Sequence, residues 1–228
     1  MADNKNKIAI IDYEMGNLFS VNRACEQVGL NPLITADAAS IIKSDAMILP
    51  GVGAFGDAMS NLKRLDLIAP IKEFIESGKL FIGICLGMQL LMSESKEFGC
   101  HQGLNIIKGN VVKFPGRGKE QRVIKVPQVG WNKVYCQRHT GEGVWQNTPF
   151  EGIVNNEYMY FVHSFYAVPE DPQVILSYTE YEGVEYASSM AWNNIFACQF
   201  HPEKSAAAGM NMYTNIASLI KQGKGRYE

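Results

Sequence analysis

A chain of 228 residues, 46% hydrophobic and 19% charged, is long enough to bury a substantial core and lies far from the composition of a disordered segment. Its formal charge of −2 gives no electrostatic reason to expect nucleic acid or an anionic membrane as partner. No apolar run approaches the roughly 18 residues of a spanning helix, and the polar start MADNKNK has no apolar segment behind it, so a cytoplasmic protein without signal peptide or membrane anchor is expected.

The first half alternates short β-branched runs with longer amphipathic ones. KIAIID (7–12) reads as a strand, 18–28 as a helix ending at Gly29, 32–35 as a second strand and 46–49 as a third. The polarity pattern over 58–77 is helical but interrupted at Pro70, and 80–84 is a fourth strand leading into a helix over 86 to about 93. Strands alternating with helices imply right-handed crossovers and an α/β fold of flavodoxin-like, doubly wound type: a mostly parallel sheet with helices on both faces. From 109 to 200 the segments become short, aromatic and β-rich: GNVVKF, GWNKVYC, YMYFVHSFYAV, QVILSYT, SSMAW and IFACQF. They are expected as antiparallel strands added to the sheet or lying beside it. A last helix over 207–220 closes a single domain spanning 1–228, with its core from about 7 to 221.

The five cysteines, Cys25, Cys85, Cys100, Cys136 and Cys198, are odd in number and form no CxxC, which argues against a disulfide framework or a zinc site. Neither a metal nor a cofactor is expected. Cys85 stands apart from the others. The segment GICLG (83–87) has the G-x-nucleophile-x-G form of a nucleophile elbow and falls between a strand and a helix, where that motif belongs. The helix start after it supplies partial positive charge, which favours the thiolate. A buried packing cysteine is the competing reading, and it explains neither flanking glycine.

A nucleophilic thiol needs a base, and the base an orienting acid. In FACQFHPEKS, His201 ends a strand-like run and Glu203 stands two residues on. Positions i and i+2 of extended chain project to one side, and Pro202 favours an extended His201. One imidazole nitrogen can then face the thiol while the other meets the carboxylate. ILPGVGAFG (48–56) offers glycine-rich backbone for an oxyanion. It also matches GxGxxG at Gly51, Gly53 and Gly56, but it follows the third strand and not the first, and no acidic residue ends the next strand to take a ribose hydroxyl. His101 and His139 sit in polar, loop-like surroundings. His163 reads as a buried, hydrogen-bonded strand histidine, and the basic loop 117–125 as a solvated face.

Three motifs in this order and spacing, PGVGAF, GICLGMQ and FHPEKS, resemble the class I (triad-type) glutamine amidotransferases. DYEMGNL (12–18), GWN (130–132) and FVHSFYA (161–167) make the chain similar, within that family, to the glutaminase subunits of imidazole glycerol phosphate synthases, over 8–220. The resemblance implies that Cys85 attacks the side-chain amide of glutamine, that His201 held by Glu203 moves the protons, and that amides of Leu86 and of Val52 or Gly53 hold the oxyanion. It implies that Gln89, Ser164 and Phe165 hold the amino-acid end of the substrate. It further implies a partner (β/α)₈ cyclase/synthase subunit that takes the ammonia to make imidazole glycerol phosphate and a purine precursor in histidine biosynthesis, docked near Asn17, Trp131 and Lys204. Competing readings of those three are a helix cap, a core tryptophan and a solvated lysine. Gln128 stands where the family commonly has histidine and Glu14 where it has a small residue, which keeps a second acceptor in view, that of the related subunits in surface-polysaccharide amidino-sugar synthesis. From other classes, a flavodoxin-like redox or stress-response protein would need the thiol without the His-x-Glu pair, and a peptide-cleaving cysteine hydrolase is a third reading.

Overall fold

The computed structural model describes residues 6–117, 123–136, 145–223 and 225–227; His139 and the middle of the basic loop lie outside them. Four strands, β1 (Lys7–Ile11), β2 (Asn31–Thr35), β3 (Ala46–Gly51) and β4 (Leu80–Cys85), pair in parallel in the order β2-β1-β3-β4. Every residue of β3 and β4 is buried, as near-continuous apolar runs covered by helices on both faces require. Helix α1 (Leu18–Gln27) is capped by the Asn17 side chain, which accepts from the Ser20 amide at 3.3 Å, and it buries Val21, Ala24 and Cys25 along one face.

The helical stretch after β3 divides earlier than the sequence pattern suggested. Helix α3 (Phe55–Arg64) ends before Asp66, whose φ of 53° breaks the chain, and Pro70 lies in the first turn of α4 (Ile68–Glu76), where its missing amide proton costs nothing. Helix α2 (Ala38–Lys43), capped by Asp37 on the Ser40 amide, is too short at six residues to leave a periodic signature.

The second half extends the sheet and adds another. Strands β8 (Gln128–Cys136), β9 (Glu157–His163), β11 (Ile175–Tyr181), β12 (Val184–Trp192) and β13 (Ile195–Cys198) complete nine strands in the order β2-β1-β3-β4-β13-β12-β11-β8-β9. Within these five the expectation of antiparallel pairing holds except at one edge of β13, which is antiparallel to β12 but parallel to β4, with Cys198 opposite Ile84. The run YMYFVHSFYAV proves to be two strands parted at Ser164. Its second part, β10 (Phe165–Pro169), joins β7 (Gly109–Lys113) and the two-residue strands β5 (Glu94–Ser95) and β6 (His101–Gln102) in a four-stranded sheet.

Apolar side chains collect on the two faces of the large sheet. One core holds Leu49, Phe55, Phe74 and Met88; the other holds Ile10, Phe161, Phe196, Phe200 and Tyr213 from α6 (Ala206–Gln222). Each such large side chain contributes about 1.5–3 kcal/mol on burial. Among the described residues no helix is long and apolar enough to cross a membrane. The pairing of β4 with β13 matters most for chemistry, because parallel neighbours deliver their carboxyl ends, and the turns that follow, to the same edge.

Candidate active site

Cys85 ends β4 and caps the five-residue helix α5 (Leu86–Leu90), which stops at Leu90 and not near Ser93. Its backbone has φ 55° and ψ −107°, a conformation that a residue with a β-carbon adopts only when its surroundings enforce it. The enforcement is visible. A β-carbon at Gly87 would lie 1.8 Å from the Leu49 carbonyl oxygen, and one at Gly83 would meet the Gly87 backbone at 3.0 Å, so both flanking glycines are demanded by close approach of the chain to itself.

At the end of β13, His201 leads into a short 3-10 turn, Pro202–Lys204. His201 Nδ1 and Glu203 Oε1 are 2.8 Å apart, with the side chains only 3% and 1% exposed. The turn is tied down on both sides. The His201 amide donates to the Tyr160 carbonyl at 2.9 Å, and the Ser205 hydroxyl donates to the His201 carbonyl at 2.7 Å while accepting from the Tyr160 amide at 3.0 Å. Burial alone would lower the imidazole's pKa. Cys85 and Glu203, through charge and hydrogen bonding, outweigh it and push the pKa up to about 10, which favours the imidazolium. His201 Nε2 is buried with no hydrogen-bond partner inside ordinary bonding geometry among the described residues, and Cys85 acts on the ring more strongly than Glu203 in raising its pKa.

Around the sulfur lies a cleft of about 260 Å³ lined by Val52, Gly53, Cys85, Leu86, Gln89, Glu97, Pro127, Val162, His163, Ser164 and Phe165. That is below the roughly 300–1,000 Å³ of sites for drug-sized ligands and suits a small amino acid. All the expected oxyanion and substrate residues therefore come together at the cysteine. Gln89 is more constrained than its position in the motif revealed. Its Nε2 donates both to the Phe165 carbonyl at 2.8 Å and to Gln199 Oε1 at 2.9 Å, which leaves only its carbonyl oxygen to offer a ligand.

Three residues escaped the sequence reading. Glu97 is nearly buried beside the cleft and accepts the Phe55 amide at the start of α3 at 2.7 Å. Gln199 is fully buried, and its Nε2 lies 3.6 Å from the Cys85 sulfur. Tyr13 is fully buried, donates to the Pro50 carbonyl at 2.7 Å and fills the space that a β-carbon at Gly51 would need, 2.1 Å from its hydroxyl. Glu97 comes from a loop with no motif of its own, and Gln199 sat in plain view inside FACQFHPE, where alternation with His201 was the missed signal.

Trp131 is 51% exposed, which excludes the core reading for it. It pairs across the strands with Tyr160, its ring edge-on to that of Tyr160, and Lys204 Nζ lies 6.0 Å from the same Tyr160 ring. Asn17 is accounted for as a cap. A larger crevice of about 690 Å³ lies at the opposite strand ends, among Asp45, Lys79 and Arg226. Lys79 there is spent on the carbonyls of Ile42 and Ser44, and the lining contains neither thiol nor imidazole.

Comparison with known proteins gives one answer. A family model described as glutamine amidotransferase class-I matches residues 9–217. The chain is 46% identical over 213 residues to the imidazole glycerol phosphate synthase subunit HisH of Syntrophotalea carbinolica, covering 93% of this chain and 100% of that one. It is 42% identical over 211 residues to the subunit of the same name from Aquifex aeolicus, covering 92% and 95%. Among solved structures, PurLQS from Thermotoga maritima superposes with a TM-score of 0.67 at 18% identity, covering 95% of this chain and 99% of that one, a likeness of fold. The chain belongs to the class-I glutamine amidotransferase family, in the branch of the HisH subunits of imidazole glycerol phosphate synthase.

Proposed function

We propose that this chain, acting as a single domain, hydrolyses glutamine at Cys85 and passes the ammonia to a (β/α)₈ partner subunit that makes imidazole glycerol phosphate. The observation that supports the reading is a strained Cys85 lining one small cleft beside a buried His201–Glu203 pair whose imidazole it acts on. The Cys85 thiolate adds to the side-chain carbonyl carbon of glutamine. The oxygen takes the negative charge, and the amides of Leu86 and of Val52 or Gly53 donate to it. The His201 imidazolium gives its Nε2 proton to the nitrogen, the C–N bond breaks, and ammonia leaves a γ-glutamyl thioester. Water then loses a proton to Nε2 as its oxygen adds to the thioester carbon. Collapse expels the thiolate, restoring the thiolate–imidazolium pair and releasing glutamate. Gln89 Oε1 and the Glu97 carboxylate are acceptors suited to the substrate's ammonium, with Ser164 and Phe165 beside them.

A partner's docking place follows from exposure. Strands β8 and β9 turn Val129, Trp131 and Tyr158 outward, with exposures of 59%, 51% and 48%. Val162, opposite Val129 in register, reaches the cleft itself and brings its carbonyl within 4.0 Å of the sulfur. An apolar strip adjoining the reaction site is suited to a subunit that must receive a gas-like product without losing it to water. Gln128 favours no second acceptor, since it is buried at 2% exposure against the Tyr186 hydroxyl and leaves the docking strip unchanged.

The test uses the chain with its co-purified partner. Cys85→Ala is expected to abolish glutamine-dependent product formation and to leave turnover with added ammonium salt intact. Product from glutamine at the wild-type rate in that variant would end the proposal, and loss of the ammonium-driven reaction would end the division of labour between the subunits. Trp131→Ala is expected to weaken the complex by about tenfold or more, as exposed tryptophans at interfaces do.

A further inference from the structure

Two polar atoms near the acid end of the site have no hydrogen-bond partner among the described residues although both are buried: Oε2 of Glu203 and the hydroxyl of Tyr213. The first is the second oxygen of the carboxylate that holds His201. An unpaired buried carboxylate oxygen and an unpaired buried phenol each carry a free-energy penalty, and a donor facing an acceptor removes both.

The fold places them near enough for the charge of one to act on the other, though beyond direct hydrogen-bond reach. Helix α6 presses on the 3-10 turn so closely that a β-carbon at Gly209 would sit 1.8 Å from the Pro202 carbonyl oxygen. Tyr213 follows Gly209 by four residues, one helical turn further along the same face, and its ring is completely buried. The titratable groups facing this spot come from three other elements: Glu203 with His201 on the turn, Cys198 on β13 and Cys25 on α1. Burial, with a smaller effect of Glu26, pushes the Cys25 thiol up to about 12. Burial likewise drives Cys198 well above its ordinary value, and the sulfur of Cys198 lies 3.5 Å from the Phe200 carbonyl. Both thiols are therefore neutral, which leaves Glu203 as the charged acceptor among the described groups that act on the phenol. Burial, with the negative charge of Glu203 next, raises the phenol far above its ordinary value, so it is a proton donor throughout the working range.

We propose that Tyr213 is a positioning residue for the reaction: its hydroxyl donates through one bridging water to Oε2 of Glu203, and so fixes the carboxylate that orients His201. This rests on the Cys85–His201–Glu203 mechanism above and extends it by one member, from a helix that carries no recognisable motif. Without the donor the carboxylate is less well stabilised as an anion and freer to rotate. The chemical step then suffers, and substrate binding does not.

The experiment is a double-mutant cycle in the complex with the partner, using Tyr213→Phe and Glu203→Gln. Tyr213→Phe is expected to lower kcat about 3- to 10-fold, the value of one hydrogen bond, with KM unchanged and the acid limb of the kcat/KM profile moved to higher pH. In the Glu203→Gln background the same substitution is expected to add no further loss. Denaturation midpoints of Tyr213→Phe and the native chain, measured alongside, separate the kinetic effect from a packing fault. An impaired Glu203→Gln beside a Tyr213→Phe with wild-type kcat and pH profile would overturn the Tyr213 proposal alone. A Tyr213→Phe loss of equal size in both backgrounds would also overturn it. Glu203→Gln at full activity would overturn the underlying mechanism and the proposal together.

Discussion

His201 and His163 are both buried, at 2% and 7% exposure, and close enough for the charge of one to act on the other, yet they are held in opposite states. His163, at the end of β9, is driven down to about 4 by burial, eased by its bond to the Phe165 carbonyl and deepened by His201. His201 is driven up to about 10 against its own burial, because Cys85 and the Glu203 side chain act on it. The strand histidine is offered neutral partners, the Phe165 carbonyl at 2.9 Å and the Tyr186 hydroxyl at 3.2 Å. Burial alone does not decide the charge of an imidazole; the formal charge of what it touches does. Of these two imidazoles His201 is the one poised to give up a proton, and its neighbour is kept from competing.

The largest test of this contrast exchanges the partner. Glu203→Gln keeps the shape of the turn and removes the charge. It is expected to lower glutamine turnover by about four orders of magnitude, the scale seen when an orienting carboxylate is made neutral. NMR of the imidazoles should show His201 titrating lower and His163, relieved of a cationic neighbour, titrating higher. An unchanged His201 titration in that variant would place the source of its charge elsewhere.

The second test is of stability against pH. The folded pKa of His163, near 4, lies below the ordinary 6.5, so as pH falls the unfolded chain takes up the proton first. The stability of the neutral buried ring is whole above about 6.5 and is lost progressively as pH falls through 4, a loss of about 3 kcal/mol when complete. His163→Gln should flatten the denaturation midpoint over that window relative to the native chain. Equal slopes for the two proteins would show that the ring protonates freely in the fold.

The sequence disclosed the two turns that carry this contrast and not the environment that produces it. GICLG and FHPEKS are local: a glycine that must not carry a β-carbon, a proline that keeps its predecessor extended and a carboxylate two residues on are all written within a few positions. The parallel pairing of β4 with β13, which makes neighbours of those turns, joins residues more than a hundred positions apart and was read as antiparallel. Glu97, Gln199 and Tyr213 belong to the same class of information. Each lies at the site because of packing between elements; Gln199 at least alternates with His201 along one run, whereas Glu97 and Tyr213 sit in no pattern whose spacing demands them. Pro70 misled for the opposite reason: as a local signal it marks a helix break, whereas in the first turn of α4 it is compatible with the helix.

The smallest of the three effects concerns the scaffold of the charged histidine, not its charge. The Ser205 hydroxyl is buried between the His201 carbonyl and the Tyr160 amide and serves both. Ser205→Ala leaves each backbone group one partner short, and the expected cost is about 2 kcal/mol, read as a lower midpoint in urea with an unchanged slope. Because Glu203 and Cys85 are untouched, His201 should keep its raised pKa, and the loss should fall on stability more than on kcat. A collapse of the His201 titration in this variant would mean that the imidazolium depends on the exact pose of the turn as well as on the charges around it, and the contrast with His163 would then be one of rigidity as much as of charge.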